Sequence, residues 1–343
     1  MKKYLFLLCL CLILSSCTTP QTETPPSTVA DLFGDSAATP SESSDGPALT
    51  PGSLGFGLMG DFIKDETNRR LYLYQGGEMR LDYWQEAEGY SDIGLGLFLF
   101  VDGQPQLFKT ESDNTLRYMH ILYPPEGEKI TGQFLFTPAS GEQGDTLEIY
   151  TMRINYPTHS IDDPPGAYQT FGAGSIGSRM LLEQAPPGTT QPVFQEKVLS
   201  KSITHTDLTK SEIRGWSEED LRSKLEHHFY VNGRKDFAEL FSIVDTEPLD
   251  CRFEMWGCPN GEFTLTIFLN HEPILVQDIS TNYGQKTTAE IQLDITDYGT
   301  EGVLFAVLVP KNQFSQKLDY GLETSGTFYL TSAASEAELK GSK

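Results

Sequence analysis

Residues 97–108, LFLFVDGQPQLF, return as residues 265–276, LTIFLNHEPILV, and this duplication limits the possible folds more than any other feature. Aligned without a gap, Phe100 meets Phe268, Asp102 meets Asn270 and Pro105 meets Pro273. Upstream, Arg80-Leu81-Asp82-Tyr83-Trp84 matches Arg252-Phe253-Glu254-Met255-Trp256. Downstream, residues 144–147 leading into Ile149 and Tyr150 resemble residues 300–303 leading into Phe305, and Gly177 to Leu182 line up with Gly326 to Thr331. The offset between copies falls from 172 at the Trp to 168, then 156, then 149, so the order is kept while the loops shorten. Two copies are too few for a solenoid, and tandem domains follow.

Strand signals dominate both copies. Residues 71–74 alternate, Gly76-Gly77 makes a turn and residues 79–84 resume, which reads as a hairpin. Residues 95–101, 116–122, 130–136 and 147–154 give further short strands with turns every ten or so residues. Such spacing resembles immunoglobulin-like or fibronectin-like modules. The resemblance is architectural, since the Cys, Trp, Cys spacing of antibody domains is absent. It implies an all-β chain of two tandem β-sandwich domains with one short helix between them.

The amino terminus carries an address. Lys2 and Lys3 precede an apolar run, residues 4–14, too short to span a bilayer comfortably. The run ends Leu14-Ser15-Ser16-Cys17, which resembles a bacterial lipobox and implies diacylglycerol on Cys17 after removal of residues 1–16. Two acyl chains suffice for stable anchoring. Residues 17–53 turn to Thr, Pro, Ser and Ala with hardly an aromatic, a composition that cannot offset its chain entropy and reads as a tether. The expected plan continues with sandwich unit 1 over 54–184, a connecting segment over 185–235, unit 2 over 236–332 and a polar tail over 333–343. Ser217 followed by three acids, with Leu221, Leu225 and Phe229 on one face, predicts a helix over 217–228 ending at His227-His228, and Trp216 sits where a hydrophobic staple would.

Net charge is −23 for the whole chain and −25 once Lys2 and Lys3 leave. Such a chain does not bind nucleic acid by neutralising phosphates. Of five cysteines, Cys17, Cys251 and Cys258 survive processing. In an exported protein the last two suggest a disulfide, with two buried thiols as the alternative. A zinc site would need a further ligand, for which His271 is the sole neighbour.

Several strings invite chemistry. Gly172, Gly174 and Gly177 spell the dinucleotide fingerprint, but no strand-to-helix context surrounds them. Residues 173–177, AGSIG, resemble a nucleophile elbow with Ser175 as nucleophile, which requires an alternating α/β sheet that this chain lacks. Asp162-Asp163 lacks the spacing of a calcium loop, so neither metal nor cofactor is assigned. Trp84 and Trp256, at equivalent positions, read as framework.

The two copies differ most at residues 85–93 and 155–177 of the first, long loops that carry Tyr90, Asp162, Asp163, Tyr168 and Phe171. Recognition favours loops on a shared frame, so these five are the expected ligand contacts. The expected protein is a non-catalytic binding lipoprotein on the extracytoplasmic face of a bacterial membrane, held by its diacylglyceryl anchor, with a protein or polysaccharide ligand. The alternatives are a structural component of an envelope complex and a secreted esterase using Ser175.

Overall fold

The computed structural model describes residues 53–65, 69–88, 94–155, 157–158, 174–188, 194–235, 240–243, 248–296, 301–311 and 321–332. The chain is nearly all β. The first sandwich contains β1 (Ser53–Leu58), β2 (Ile63–Lys64), β3 (Arg70–Tyr74), β4 (Met79–Glu88), β5 (Leu95–Val101), β6 (Gln104–Pro105), β7 (Met119–Leu122), β8 (Lys129–Phe136), β9 (Thr146–Asn155) and β10 (Gly174–Leu182). One sheet runs β1-β4-β8; the other runs β2-β3-β10-β9-β5-β6, with β7 also on β5.

The second sandwich contains β11 (Val198–Asp207), α1 (Glu218–Ser223), β12 (Leu225–Val231), β13 (Arg234–Lys235), β14 (Leu240–Ile243), β15 (Leu249–Gly257), β16 (Glu262–Leu269), β17 (Glu272–Ser280), β18 (Gln285–Leu293), β19 (Glu301–Pro310), β20 (Glu323–Thr324) and β21 (Phe328–Ser332). Its sheets run β11-β18-β15-β12-β13 and β14-β21-β19-β16-β17. In each unit a short strand pairs in parallel with the last one, β3 with β10 and β14 with β21. The central strands repeat, β1, β4 and β8 answering to β12, β15 and β18, and β3, β10, β9, β5 and β6 to β14, β21, β19, β16 and β17, while the sheet edges differ.

The register of the repeat is sharper in space than in sequence. Phe100 opposes Tyr150 in one sheet and Phe268 opposes Phe305 in the other, so β9 and β19 are offset by 155, and not by 156. Ser178 opposes Ile149 while Phe328 opposes Leu304, which sets the last strands at 150 instead of 149. A slip of one residue reverses every side chain in a strand. The corrected register puts Ile149 and Leu304 into the two cores and turns Tyr150 and Phe305 outward.

Those outward faces are where the units join. Phe98, Phe100, Tyr150, Met152 and Ile154 of the first unit form one buried cluster with Phe268, Val303, Phe305, Val307 and Val309 of the second. The rings of Phe98 and Phe268 lie 5.2 Å apart at 69°, and Phe268 stacks on Phe305 at 5.2 Å. This explains why every residue of β5 is buried: its odd-numbered side chains fill the first core and Phe98 and Phe100 fill the joint.

Three local expectations are overturned. The 71–84 segment is no hairpin: β3 and β4 belong to different sheets, and Gly76 and Gly77, both at positive φ, carry the chain across the sandwich. The helix stops at Ser223, because Lys224 is extended and Leu225–Val231 pair with β15 over seven positions. Leu225, His227, Phe229 and Val231 also fit a period of two, and the ladder decided between the readings. The segment assigned as a connector over 185–235 is therefore no linker, since β11 and β12 are strands of the second sandwich. The capping box at Ser217 and Asp220 is present, and Trp216 packs with Leu221 in a small cluster with Leu208, Ile213 and Trp256.

Candidate functional site

The register separates what the copies share from what they do not. Inward positions of the first core include Gln85 on β4, Thr151, Arg153 and Asn155 on β9, and Ser178 on β10, all buried, with Gln85 at 0 % exposure. Their counterparts in the second unit are Gly257, Ala306, Leu308, Pro310 and Phe328. One copy is apolar where the other is polar.

Among the described residues, four of these side chains carry polar atoms without a hydrogen-bond partner. Neither amide atom of Gln85, nor the hydroxyls of Thr151 and Ser178, nor Oδ1 of Asn155 has a hydrogen bond. Burying an amide or hydroxyl unsatisfied costs about 1–3 kcal/mol each. Gln85 sits opposite Phe56 and Ile130 near the end of β4, and Asn155 closes β9 opposite Leu95. Gln85, Arg153 and Asn155 thus gather at the end of the sandwich from which residues 89–93 and 156–173 depart. Tyr90, Asp162, Asp163, Tyr168 and Phe171, the expected contact residues, lie outside the described residues. The polar end of the first core was not foreseen; Arg153-Ile154-Asn155 at the close of an apolar strand was its sequence signal.

A second polar feature lies in the cleft between the units, a cavity of about 420 Å³ lined among others by Thr110, Asp113, Arg117, His120, His271 and Glu272. His120 Nε2 lies 2.9 Å from the carbonyl of Phe108, and its Nδ1 lies 3.7 Å from the Asp113 carboxylate. Burial holds its pKa below the ordinary value despite that carboxylate. Burial also pushes His271 down to about 4 and raises Glu272. Among the described residues no cluster of three or more His, Cys, Asp or Glu is arranged to hold a metal ion.

The remaining motifs resolve into framework. Ser175 lies within β10, paired with Met152, where the elbow requires a turn into a helix, so Ser175 does not sit on a nucleophile elbow. Gly174 and Gly177 belong to the same strand, and Gly172 lies outside the described residues. His227 and His228 sit on β12, not on a helix end: His227 stacks on Phe253, and His228 lies 3.4 Å from Glu226. Cys251 and Cys258 are both buried, and no disulfide joins them. Cys251 lies near the start of β15 and Cys258 just past its end, so the extended strand between them, rising ~3.3 Å per residue, holds them roughly 20 Å apart. A bridge needs Cα atoms within about 7 Å, which corrects the expected disulfide. Trp256 is 5 % exposed under α1, whereas Trp84 is half-buried against Gly55 and Gly57 with the Lys129 ammonium 4.2 Å from its ring centroid.

Strand order and the two-layer cores define the class: tandem immunoglobulin-like or fibronectin-like β-sandwiches. No protein-family model matches the chain, and no curated protein matches it. Among solved structures it is similar to the fibronectin(III)-like modules of Clostridium thermocellum CbhA, at 5 % identity over 81 % of this chain and 94 % of that one, TM-score 0.21. It is also similar to the Salmonella enterica SafA pilin in complex with the SafB chaperone, at 10 % identity over 83 % and 98 %, TM-score 0.24. The Pseudomonas aeruginosa CupB2 chaperone follows at 7 % identity over 74 % and 94 %, TM-score 0.21. At such scores these likenesses bear on no functional question.

Proposed function

We propose that the chain is a lipid-anchored extracytoplasmic protein that binds an envelope component, without catalysis, through the loop-bearing end of its first sandwich. The observation that carries the reading is the contrast between copies: Gln85, Thr151, Asn155 and Ser178 are buried and unpartnered where the second unit has Gly257, Ala306, Pro310 and Phe328. Unsatisfied polar groups are a stability cost that a purely structural core has no reason to keep, and binding sites are where such costs persist. The apolar joint between the units supports the same reading, because it gives the loops a fixed base. In this account the lipobox anchors Cys17 in the membrane and the segment after it acts as tether; residues 17–52 lie outside the described residues, and Ser53, the last residue assigned to the tether, opens β1.

The test uses the full-length chain in detergent and washed envelopes from cells lacking it, with protein-free vesicles of the same lipids as control. Saturable retention on envelopes, lost when Tyr90, Tyr168 and Phe171 are all replaced by Ala, is expected. Unchanged retention by a folded triple variant contradicts the assignment.

A further inference from the structure

The second sandwich carries a groove with no counterpart in the first. It lies on the outer face of the five-stranded sheet, has a volume of about 450 Å³ and is lined by residues of β11, β12, β15 and β18. That volume falls within the roughly 300–1,000 Å³ of small-molecule sites. We propose that this groove binds a saccharide.

The register arranges the floor in two cross-strand rows. Ser202 pairs with Glu290, Glu290 with Arg252 and Arg252 with Tyr230. Two residues along, Ser200 pairs with Gln292 and Gln292 with Asp250. The side chains are already oriented. Gln292 Nε2 donates to Asp250 Oδ1 at 3.1 Å. The Arg252 guanidinium lies 4.3 Å from the Tyr230 ring centroid, and its Nε is 3.3 Å from Glu254. Glu290 is exposed, and among the described residues its carboxylate makes neither hydrogen bond nor ion pair.

Planar groups offering paired donors and acceptors, beside an aromatic ring, are what neighbouring hydroxyls on a sugar ring require. The charges nearly balance, with Lys201 and Arg252 against Asp250 and Glu290, so the groove selects hydroxyls over a charged polymer.

β11 supplies one wall, and its own burial does not explain its presence. Nine of its ten residues are exposed, and only Val198 packs on the core. By the same register, the first sandwich has Leu135 where the second has Glu290, and Glu78 where it has Asp250. A single backbone bridge from Lys109 to Leu135 stands where β11 runs. Among the described residues, the wall that β11 builds in the second sandwich is reduced to that one bridge in the first.

The proposal is independent of the reading given for the first sandwich, since no residue is shared. Its test is titration calorimetry of the full-length chain in detergent with three probes: chitohexaose, cellohexaose and mannohexaose. Saturable binding of at least one is expected, weakened tenfold or more by Glu290→Ala and by Tyr230→Ala while the melting temperature of Glu290→Ala stays unchanged. Absence of saturable binding to all three at millimolar concentration overturns the proposal. So does binding that survives Glu290→Ala and Tyr230→Ala in folded protein.

Discussion

Phe100 and Phe268 occupy the same position in the two copies, and their rings meet edge to face with centroids 6.2 Å apart at 89°. A residue that touches its own counterpart lies near an approximate two-fold axis, the arrangement of an isologous dimer built within one chain. The duplicated strand thus does two things. Its odd-numbered side chains build each core, and its outward aromatics bind one copy to the other.

That joint predicts how the protein unfolds. The cluster around Phe98, Phe268 and Phe305 is buried as fully as either core, so the sandwiches should melt in one cooperative transition. Phe268→Ala should cost about 3–5 kcal/mol and split the calorimetric trace into two transitions. Two independent transitions in the unmodified protein would show that the joint is weak.

The turn between β16 and β17 should make stability depend on pH. Asn270 and His271 both adopt left-handed φ, 50° and 69°, matching Asp102 at 51° and Gly103 at 80° in the other copy. Both are two-residue hairpin turns, where Gly is favoured at the second position. Enclosure pushes His271 down to about 4, below the ordinary 6.5. Between those values the unfolded chain takes up a proton that the folded one refuses, so stability falls as pH drops from about 6.5 to about 4. Its neighbours Asp113, Arg117, His120 and Glu272 titrate or carry charge in the same cleft. His271→Gly should relieve the strain and flatten that window; melting curves of the two proteins from pH 7 to pH 4 should diverge. Parallel curves would contradict the account.

Much of the frame was legible. The repeat gave two all-β units, and the strand pairs Arg80 with Arg252 and Pro105 with Pro273 fall at equivalent places in the ladders. Two things escaped. Offsets derived from Gly144, in a turn, and Gly177, within β10, slipped by one residue, because a glycine has no side chain to fix a face. The helix was overrun into β12, because Leu221, Leu225 and Phe229 satisfy a helical period as well as a strand satisfies its own. The joint had a signal in the uninterrupted LGLFLFV of β5, since a strand apolar at every position is covered on both sides. The polar end of the first core was least legible, because only the spatial register shows that Gln85 and Asn155 point inward.

Both thiols of the folded domain should be silent. Burial raises the Cys251 thiol well above its usual range, and Cys258 is fully enclosed. A thiol reagent should find neither in native protein and both after denaturation, and a reductant should leave the melting temperature unchanged. Loss of both thiols from denatured, unreduced protein would reinstate the bridge.

The anchor has its own test. Labelling cells with a radioactive fatty acid should mark the chain, and Cys17→Ala should abolish the mark. Full labelling of that variant would sink the assignment of the lipid.

The central claim is that the first sandwich keeps unsatisfied polar groups in order to bind. Gln85→Leu measures it directly, because the amide is fully buried and neither of its polar atoms is bonded. Removing the orphaned amide should stabilise the fold by about 1 kcal/mol or more, raising the melting temperature by roughly 2–4 °C per kcal/mol. The account predicts that this more stable protein loses saturable retention on envelopes. A stabilised Gln85→Leu protein that is retained as well as the original would contradict it.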